Sequence, residues 1–409
     1  MTETDISQSY RTPAAPVPPH VPPHLVFDFD FFHDERLRGD VQKGYMSLHR
    51  DAPDIFWTPR NGGHWMATRF ADVRIVGITP KVFSSVDQGI PPRPEGQVLR
   101  LPPQDMDAPE HMHHRMLLFK FLSPNDLRKQ EPYVRRLAIE LIDKLSGRNS
   151  CDFKEEIAVV LPVTVFMTMM QWDLSRLHEF VGWVHAIIGS DDPAVRYPAF
   201  LEMSGYLATV IQQRIAEPGD DPISLLLASD MNGVRVSPER VQEMASLLFA
   251  AGLDTVTNAM TFTMQYLATQ PDIQQRLRAH PDQIEGAIEE FLRRFSFVAT
   301  QRRVTQDTDL SGVKLKAGDR IMCSLAAASN DDRSVASPEQ VNLDRGKCPH
   351  VAFMSGPHTC IGAPLARTEM RVLFEEWLKR MPDVALAPGF QPVTRGGSVM
   401  SLERLDIIW

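Results

Sequence analysis

A chain of 409 residues with 43% apolar and 23% charged residues has the composition of an ordinary globular protein, and it is long enough to bury about three-quarters of its unfolded surface. Its formal net charge of −9 argues against a nucleic-acid partner or an anionic membrane surface, since both demand a basic face. No apolar run approaches the ~20 residues that span a bilayer, and the N-terminus lacks the regions of a secretory signal, so a cytoplasmic protein with no membrane partner is expected.

With no Gly/Ser linker or internal repeat to divide it, the chain reads as one domain over 25–409, preceded by an arm over 1–24. The arm carries Pro13, Pro16, Pro18, Pro19, Pro22 and Pro23, which favour extended polyproline backbone, and it is expected as a packed or frayed tail outside the core. His64 to Thr68 reads as a short strand and Arg69 to Val76 as the start of a helix. Residues 86–109 hold six prolines and no aromatic residue, the composition of a long irregular loop, and such loops usually serve function. Helical patterns dominate from 110 to 295. The longest begins at Ser237-Pro238, an N-cap followed by proline at the first helical position, and continues to Pro271 with Val241, Met244, Leu248 and Ala251 on its buried face. Gly252 in its middle costs about 1 kcal/mol relative to alanine, so something else fills the space of a side chain: a ligand against the helix, or a closely packed second helix. Glu285 to Arg294 forms a short charged helix, Arg320 to Leu325 a strand, and 330–352, rich in Asn, Asp and Pro, a coil. The expected fold class is mainly α with small β-sheets.

That coil leads into Phe353-Met354-Ser355-Gly356-Pro357-His358-Thr359-Cys360-Ile361-Gly362. Beyond it Ala366, Met370, Leu373 and Trp377 recur at helical spacing, so the Cys360 sulfur sits near a helix N-terminus, where free N–H groups and the macrodipole favour negative charge. Such a turn suits a metal-bound thiolate, and haem iron held by a cysteine thiolate receives electron density that favours O–O cleavage. Cys151, Cys323 and Cys348 are irregularly spaced with no Cys-x-x-Cys pair, which speaks against a disulfide framework or a zinc ribbon and leaves them as structural thiols.

Phe353, Gly356, His358, Cys360 and Gly362 match in full the signature Phe-x-x-Gly-x-His/Arg-x-Cys-x-Gly, and on these residues the chain resembles the cytochrome P-450 family. One departure is Met354, where many bacterial members carry glycine. Glu290 and Arg293 match the family's Glu-x-x-Arg pair, which the family buries to tie its helix to the coil before the cysteine. Ala251 to Thr255 resembles the oxygen-binding segment: Gly252 would frame the oxygen site, while Asp254 and Thr255 would deliver protons. Taken alone, the Thr255 hydroxyl would bond back to its own helix. The resemblance implies haem b, with Cys360 as the metal ligand, O2 as co-substrate, and His111, Arg115, Arg302 and His358 satisfying the buried propionates. His113 and His114 gain no role and are expected in solvent.

Pro22 to Asp30, Asn61 to Trp65, Gly252 to Asn258, Glu289 to Ser296 and the end near Trp409 resemble the bacterial camphor-hydroxylase branch, so the resemblance spans essentially the whole chain. It implies a helix-rich triangular prism and electrons from a [2Fe-2S] ferredoxin with its reductase. An acidic ferredoxin would dock on the cysteine side, with Arg345, Lys347 and Arg115 as candidate cations. Camphor hydroxylases hold the substrate ketone with a tyrosine in the loop before the propionate helix, whereas here Leu99 or a neighbour takes that place. The expected pocket is Leu99, Leu101, Leu247, Ala250, Ala251, Val298 and Val399, apolar and suited to a terpenoid or norisoprenoid larger than camphor. The implied reaction is a monooxygenase hydroxylation. A peroxide-driven hydroxylase of the same fold and a haem sensor without turnover are its rivals; Asp254-Thr255 weighs against the first.

Overall fold

The computed structural model describes residues 12–92, 100–190, 192–346 and 348–409, so Leu99 and Lys347 lie outside the described residues. Strands β1 (Ile55–Thr58), β2 (His64–Ala67), β3 (Phe83–Ser84), β4 (Ala299–Val304) and β5 (Arg320–Ser324) form one sheet in the order β1–β2–β5–β4–β3. All pairings are antiparallel except β2 with β5. Ile55, Trp57, Trp65, Val304 and Ile321 bury one apolar cluster around this sheet. The arm is partly inside that cluster. Val21 is 5% exposed and belongs to it, the Thr12 N–H and hydroxyl donate to Asp30, and Ala15 N–H donates to the Pro59 carbonyl. The expectation of a tail outside the core is therefore corrected: extended, proline-rich backbone leaves donors and apolar side chains free to lie along the sheet's flank.

The larger cluster is helical. Helix α1 (Phe70–Ile78) joins the sheet cluster through Val73 and Val76, while the larger cluster is built by α2 (Glu110–Leu122), α3 (Val160–Met169), α4 (Leu177–Gly189), α5 (Pro238–Gly252), α6 (Thr255–Leu267), α7 (Ile284–Arg294) and α8 (Ala363–Arg380), with further helices around them. Among the described residues no helix is long and apolar enough to cross a membrane. Helix α5 starts where the sequence places it, with the Ser237 hydroxyl accepting the Arg240 N–H and Pro238 at the first turn.

It does not run unbroken to Pro271. The backbone leaves the helix at Leu253 and Asp254 and re-enters it at Thr255. Beside the break, a Cβ at Gly252 would stand 2.8 Å from the Phe166 ring of α3, so close helix packing fills the space next to this glycine. Of the two readings left open for Gly252, the neighbouring helix is the one observed.

Helix α8 packs on α7, α6 and the helix Glu131–Asp143, and buries Ala366, Met370, Leu373 and Trp377. Its anchor to the coil is the Glu290–Arg293 pair. Both are buried; Arg293 donates twice to Glu290 at 2.9 Å and also to Asn330 Oδ1 and the Pro338 and Gln340 carbonyls, each at 2.9 Å. Glu290 accepts further from the Asn342 N–H at 2.9 Å and Arg345 Nε at 3.0 Å. Arg345, expected as a docking cation, is consequently drawn inward by the one carboxylate that faces it.

Replacing Arg293 with alanine leaves Glu290 buried beside a single remaining cation and frees three backbone and side-chain acceptors. Equilibrium urea unfolding should show a loss of about 3–5 kcal/mol; a parent-like midpoint would contradict the anchoring role.

Candidate active site

The loop before α8 is shaped by contacts between backbones. Gly356 has φ +82, and a Cβ there would stand 2.2 Å from the Gly77 carbonyl oxygen of α1. A Cβ at Gly77 would in turn meet the Ser355 oxygen at 2.7 Å, so both positions require glycine for close approach. Met354 holds φ +61, the left-handed conformation that glycine adopts without cost. The departure from the family pattern thus keeps the backbone shape at a cost of about 1–2 kcal/mol, offset by burying the Met354 side chain against the sheet cluster. Met354 N–H donates to the Val351 carbonyl at 2.7 Å, and Cys360 N–H returns to the Phe353 carbonyl at 3.0 Å, closing the loop.

Cys360 is densely surrounded by protein, yet its side chain is open to a water-sized sphere. Burial pushes its thiol up. The Gly362 and Ala363 N–H groups, Arg115 and Arg367 pull the other way without cancelling burial. The N–H groups at the start of α8 favour the anionic sulfur, as expected, though burial outweighs them; a cation bound to it would complete the set of partners. The other three thiols have no such array. Burial raises Cys151 and Cys323 to about 12, and burial with the Glu290 carboxylate does the same for Cys348.

The four expected polar donors converge from three elements. His111 and Arg115 stand on α2, Arg302 on β4, and His358 in the loop. The His111 and His358 rings are 4.1 Å apart, and His358 Nε2 lies 3.1 Å from the Ser85 hydroxyl at the end of β3. Arg115 donates to the Thr359 carbonyl at 2.7 Å and Arg302 to Gln88 Oε1 at 3.0 Å. Burial together with Arg302 and His111 drives His358 down to about 3, and burial with Arg115 lowers His111, so both are neutral imidazoles near pH 7. Burial also lowers Arg302 and Arg115, and among the described residues neither forms an ion pair.

His114 differs from expectation. It is buried, because its helix face turns toward the core, and its Nδ1–H donates to the Glu110 carbonyl at 2.9 Å. His113 is half-buried, 3.2 Å from the Asn232 amide.

At the α5–α6 break Asp254 is buried; its Oδ1 lies 3.1 Å from His185 Nε2 on α4, and its Oδ2 accepts the Asn258 amide at 2.8 Å. The Thr255 hydroxyl donates to the Ala251 carbonyl at 3.1 Å, the bond to its own helix that the residue taken alone suggests. Leu247, Ala250 and Ala251 occupy the last turns of α5, Val298 pairs with Val399 through an isolated bridge, and Leu101 sits in the loop before α2. Leu99 lies outside the described residues.

Several contributors went unread in the sequence. Gly77, Ser85 and His185 act over long separations, with no local pattern to mark them. Glu289 stands next to the legible Glu290, yet its partner Arg367 is in α8.

A molecule that fits must bring a cation to the Cys360 sulfur and carboxylates to Arg115 and Arg302, which form no ion pair among the described residues, and to the histidines beside them. His111 Nε2, buried without a partner, points to the same need. Iron protoporphyrin IX supplies both. A cytochrome P450 family model matches residues 202–383. The chain is 31% identical over 408 residues, 98% of each chain, to a probable cytochrome P450 127A1 of Sinorhizobium fredii. Two solved structures, CYP101J2 and CYP101C1, are each 32% identical with a TM-score of 0.87; they cover 97% and 96% of this chain and 99% and 100% of their own. The chain belongs to the cytochrome P450 family, monooxygenases that carry haem b and use dioxygen as co-substrate.

Proposed function

We propose that this chain hydroxylates an apolar substrate of terpenoid or norisoprenoid type, with electrons from a [2Fe-2S] ferredoxin and its reductase, and with Cys360 as the ligand to iron. The observation that carries the reading is the buried Cys360 sulfur under two backbone N–H donors and two arginines. Bound haem supplies the redox-active iron that activates dioxygen. Every other task falls to the chain.

Gly362 and Ala363 orient the sulfur by donating to it, and Phe353, Gly356 and Gly362 set the turn that carries it. His111, Arg115, Arg302 and His358 would hold the two propionates, the imidazoles as hydrogen-bond donors and the guanidinium groups as counter-charges. Asp254 and Thr255 manage protons. The Thr255 hydrogen rests on the Ala251 carbonyl, leaving the oxygen free to accept, and a rotation of the hydroxyl about its Cβ–Oγ1 bond turns it from acceptor to donor. Asp254, tied to His185 and Asn258, is the nearby carboxyl group that can resupply it. A carboxyl group and hydroxyl placed side by side favour dioxygen over peroxide as oxidant, since only dioxygen requires both protons from the protein. Gly252 frames this segment by admitting Phe166.

Leu101, Leu247, Ala250, Ala251, Val298 and Val399 supply the apolar wall, with Leu99 assigned on sequence alone. An acidic ferredoxin approaching the cysteine side meets Arg115 and the exposed fraction of Arg367.

Three measurements test these roles. The reduced, carbon-monoxide-bound protein should show the strongly red-shifted Soret band of thiolate ligation, and Cys360→Ala should abolish it; a parent-like band in that variant would remove the ligand assignment. Thr255→Ala should keep consuming dioxygen while product per dioxygen falls by about a hundredfold, the low end of general acid catalysis. Unchanged coupling would remove the proton role. In a panel followed by haem spin state, terpenoids and norisoprenoids larger than camphor should bind more tightly than camphor, and camphor as the tightest binder would sink the substrate assignment.

A further inference from the structure

Next to the Glu290 anchor, Glu289 forms a second knot that no role above uses. Its carboxylate accepts Arg367 Nε at 2.5 Å and Nη2 at 3.0 Å, and His350 Nε2 stands 3.1 Å from Oε2. The Ala352 N–H donates to His350 Nδ1 at 3.2 Å, so that nitrogen is an acceptor and the ring hydrogen resides on Nε2, where it donates to Glu289. His350 thus bridges Glu289 to the loop backbone. Arg367, on the second turn of α8, lies over the Phe353 ring at 4.6 Å, and the Phe353 carbonyl is the acceptor of the Cys360 N–H. One carboxylate on α7 thus clamps α8 and both ends of the cysteine loop. Although burial raises Glu289, His350 and Arg367 outweigh it and hold the group down at about 2, so it is ionised whenever the protein is folded near neutral pH.

The charge balance matters as much as the clamp. Arg367 is one of the cations that favour the anionic form of the Cys360 sulfur, and it is the one that carries its own counter-ion. We propose that Glu289 is a positioning residue for the Cys360 sulfur: it fixes Arg367 over Phe353 and, by neutralising it, sets how much positive charge the sulfur feels. The proposal rests on Cys360 as the iron ligand. A sulfur facing less positive charge donates more electron density and lowers the iron's reduction potential; one facing more raises it.

The test is the ferric/ferrous potential of the haem-loaded protein in two variants. Glu289→Gln keeps the shape and one acceptor but leaves Arg367 uncompensated, so the potential should rise. Arg367→Gln removes the cation, so it should fall, and the double variant should return toward the parent. Shifts of the same sign in both single variants, or none in either, would overturn the proposal, since loosening of the loop alone moves both the same way. Should Glu289→Gln fail to fold, Arg367→Lys against Arg367→Gln gives the same comparison: lysine should hold the parental potential and glutamine should lower it, and equal shifts would overturn the proposal. A parent lacking the red-shifted carbon-monoxide band would refute the ligand assignment instead, so the two failures are separable.

Discussion

An anionic sulfur inside a protein is costly, and the structure around Cys360 is arranged to lower that cost. Burial alone drives the thiol toward its neutral form, so the array against it must be dense: two N–H groups at the start of α8 and two arginines. Each of those partners must be held within hydrogen-bonding reach, and holding them determines much of the remaining architecture. Helix α8 is fixed by packing on α7, α6 and the helix Glu131–Asp143, the loop by the Gly77–Gly356 backbone contact, and the coil before it by Glu290 and Arg293.

The two sides of the site are built by different means. On the sulfur side, carboxylates and arginines make a rigid lattice of charge-assisted bonds, because small displacements there change the donor strength of the ligand. On the opposite side the polar groups are fewer and looser. Asp254 and Thr255 lie where a helix breaks, a position that frees a side chain to rotate without unwinding a continuous hydrogen-bond ladder. Rigidity is concentrated where an atom must stay, and freedom where a proton must move.

The features legible in the sequence are those with local causes. The cysteine loop, the Ser237-Pro238 helix start, the strand at His64 and the Glu290–Arg293 pair are all written in residues a few positions apart. What fills the space beside Gly252 was not legible, because Phe166 approaches from another helix 86 positions earlier. Met354 in a left-handed conformation runs against residue preference and is sustained only by the burial of its side chain. Arg345 and His114 looked solvent-bound by type; their partners were invisible without the fold. The arm's docking is a like case, since polyproline backbone carries no signal of what it lies upon. Of the candidate site, Cys360 and His358 were readable from the motif and His111, Arg115 and Arg302 from the resemblance, while the residues packed around them, Ser85, His185, Glu289, His350 and Arg367, were not.

The three remaining thiols carry a consequence for durability. Oxygenases release hydrogen peroxide when turnover fails, and sulfur is oxidised in proportion to its thiolate fraction. Burial holds Cys151, Cys323 and Cys348 as neutral thiols, raised to about 12, near pH 7. An enzyme of this build tolerates its own misfires, because the sulfurs it does not need for chemistry offer an escaping oxidant almost nothing to attack.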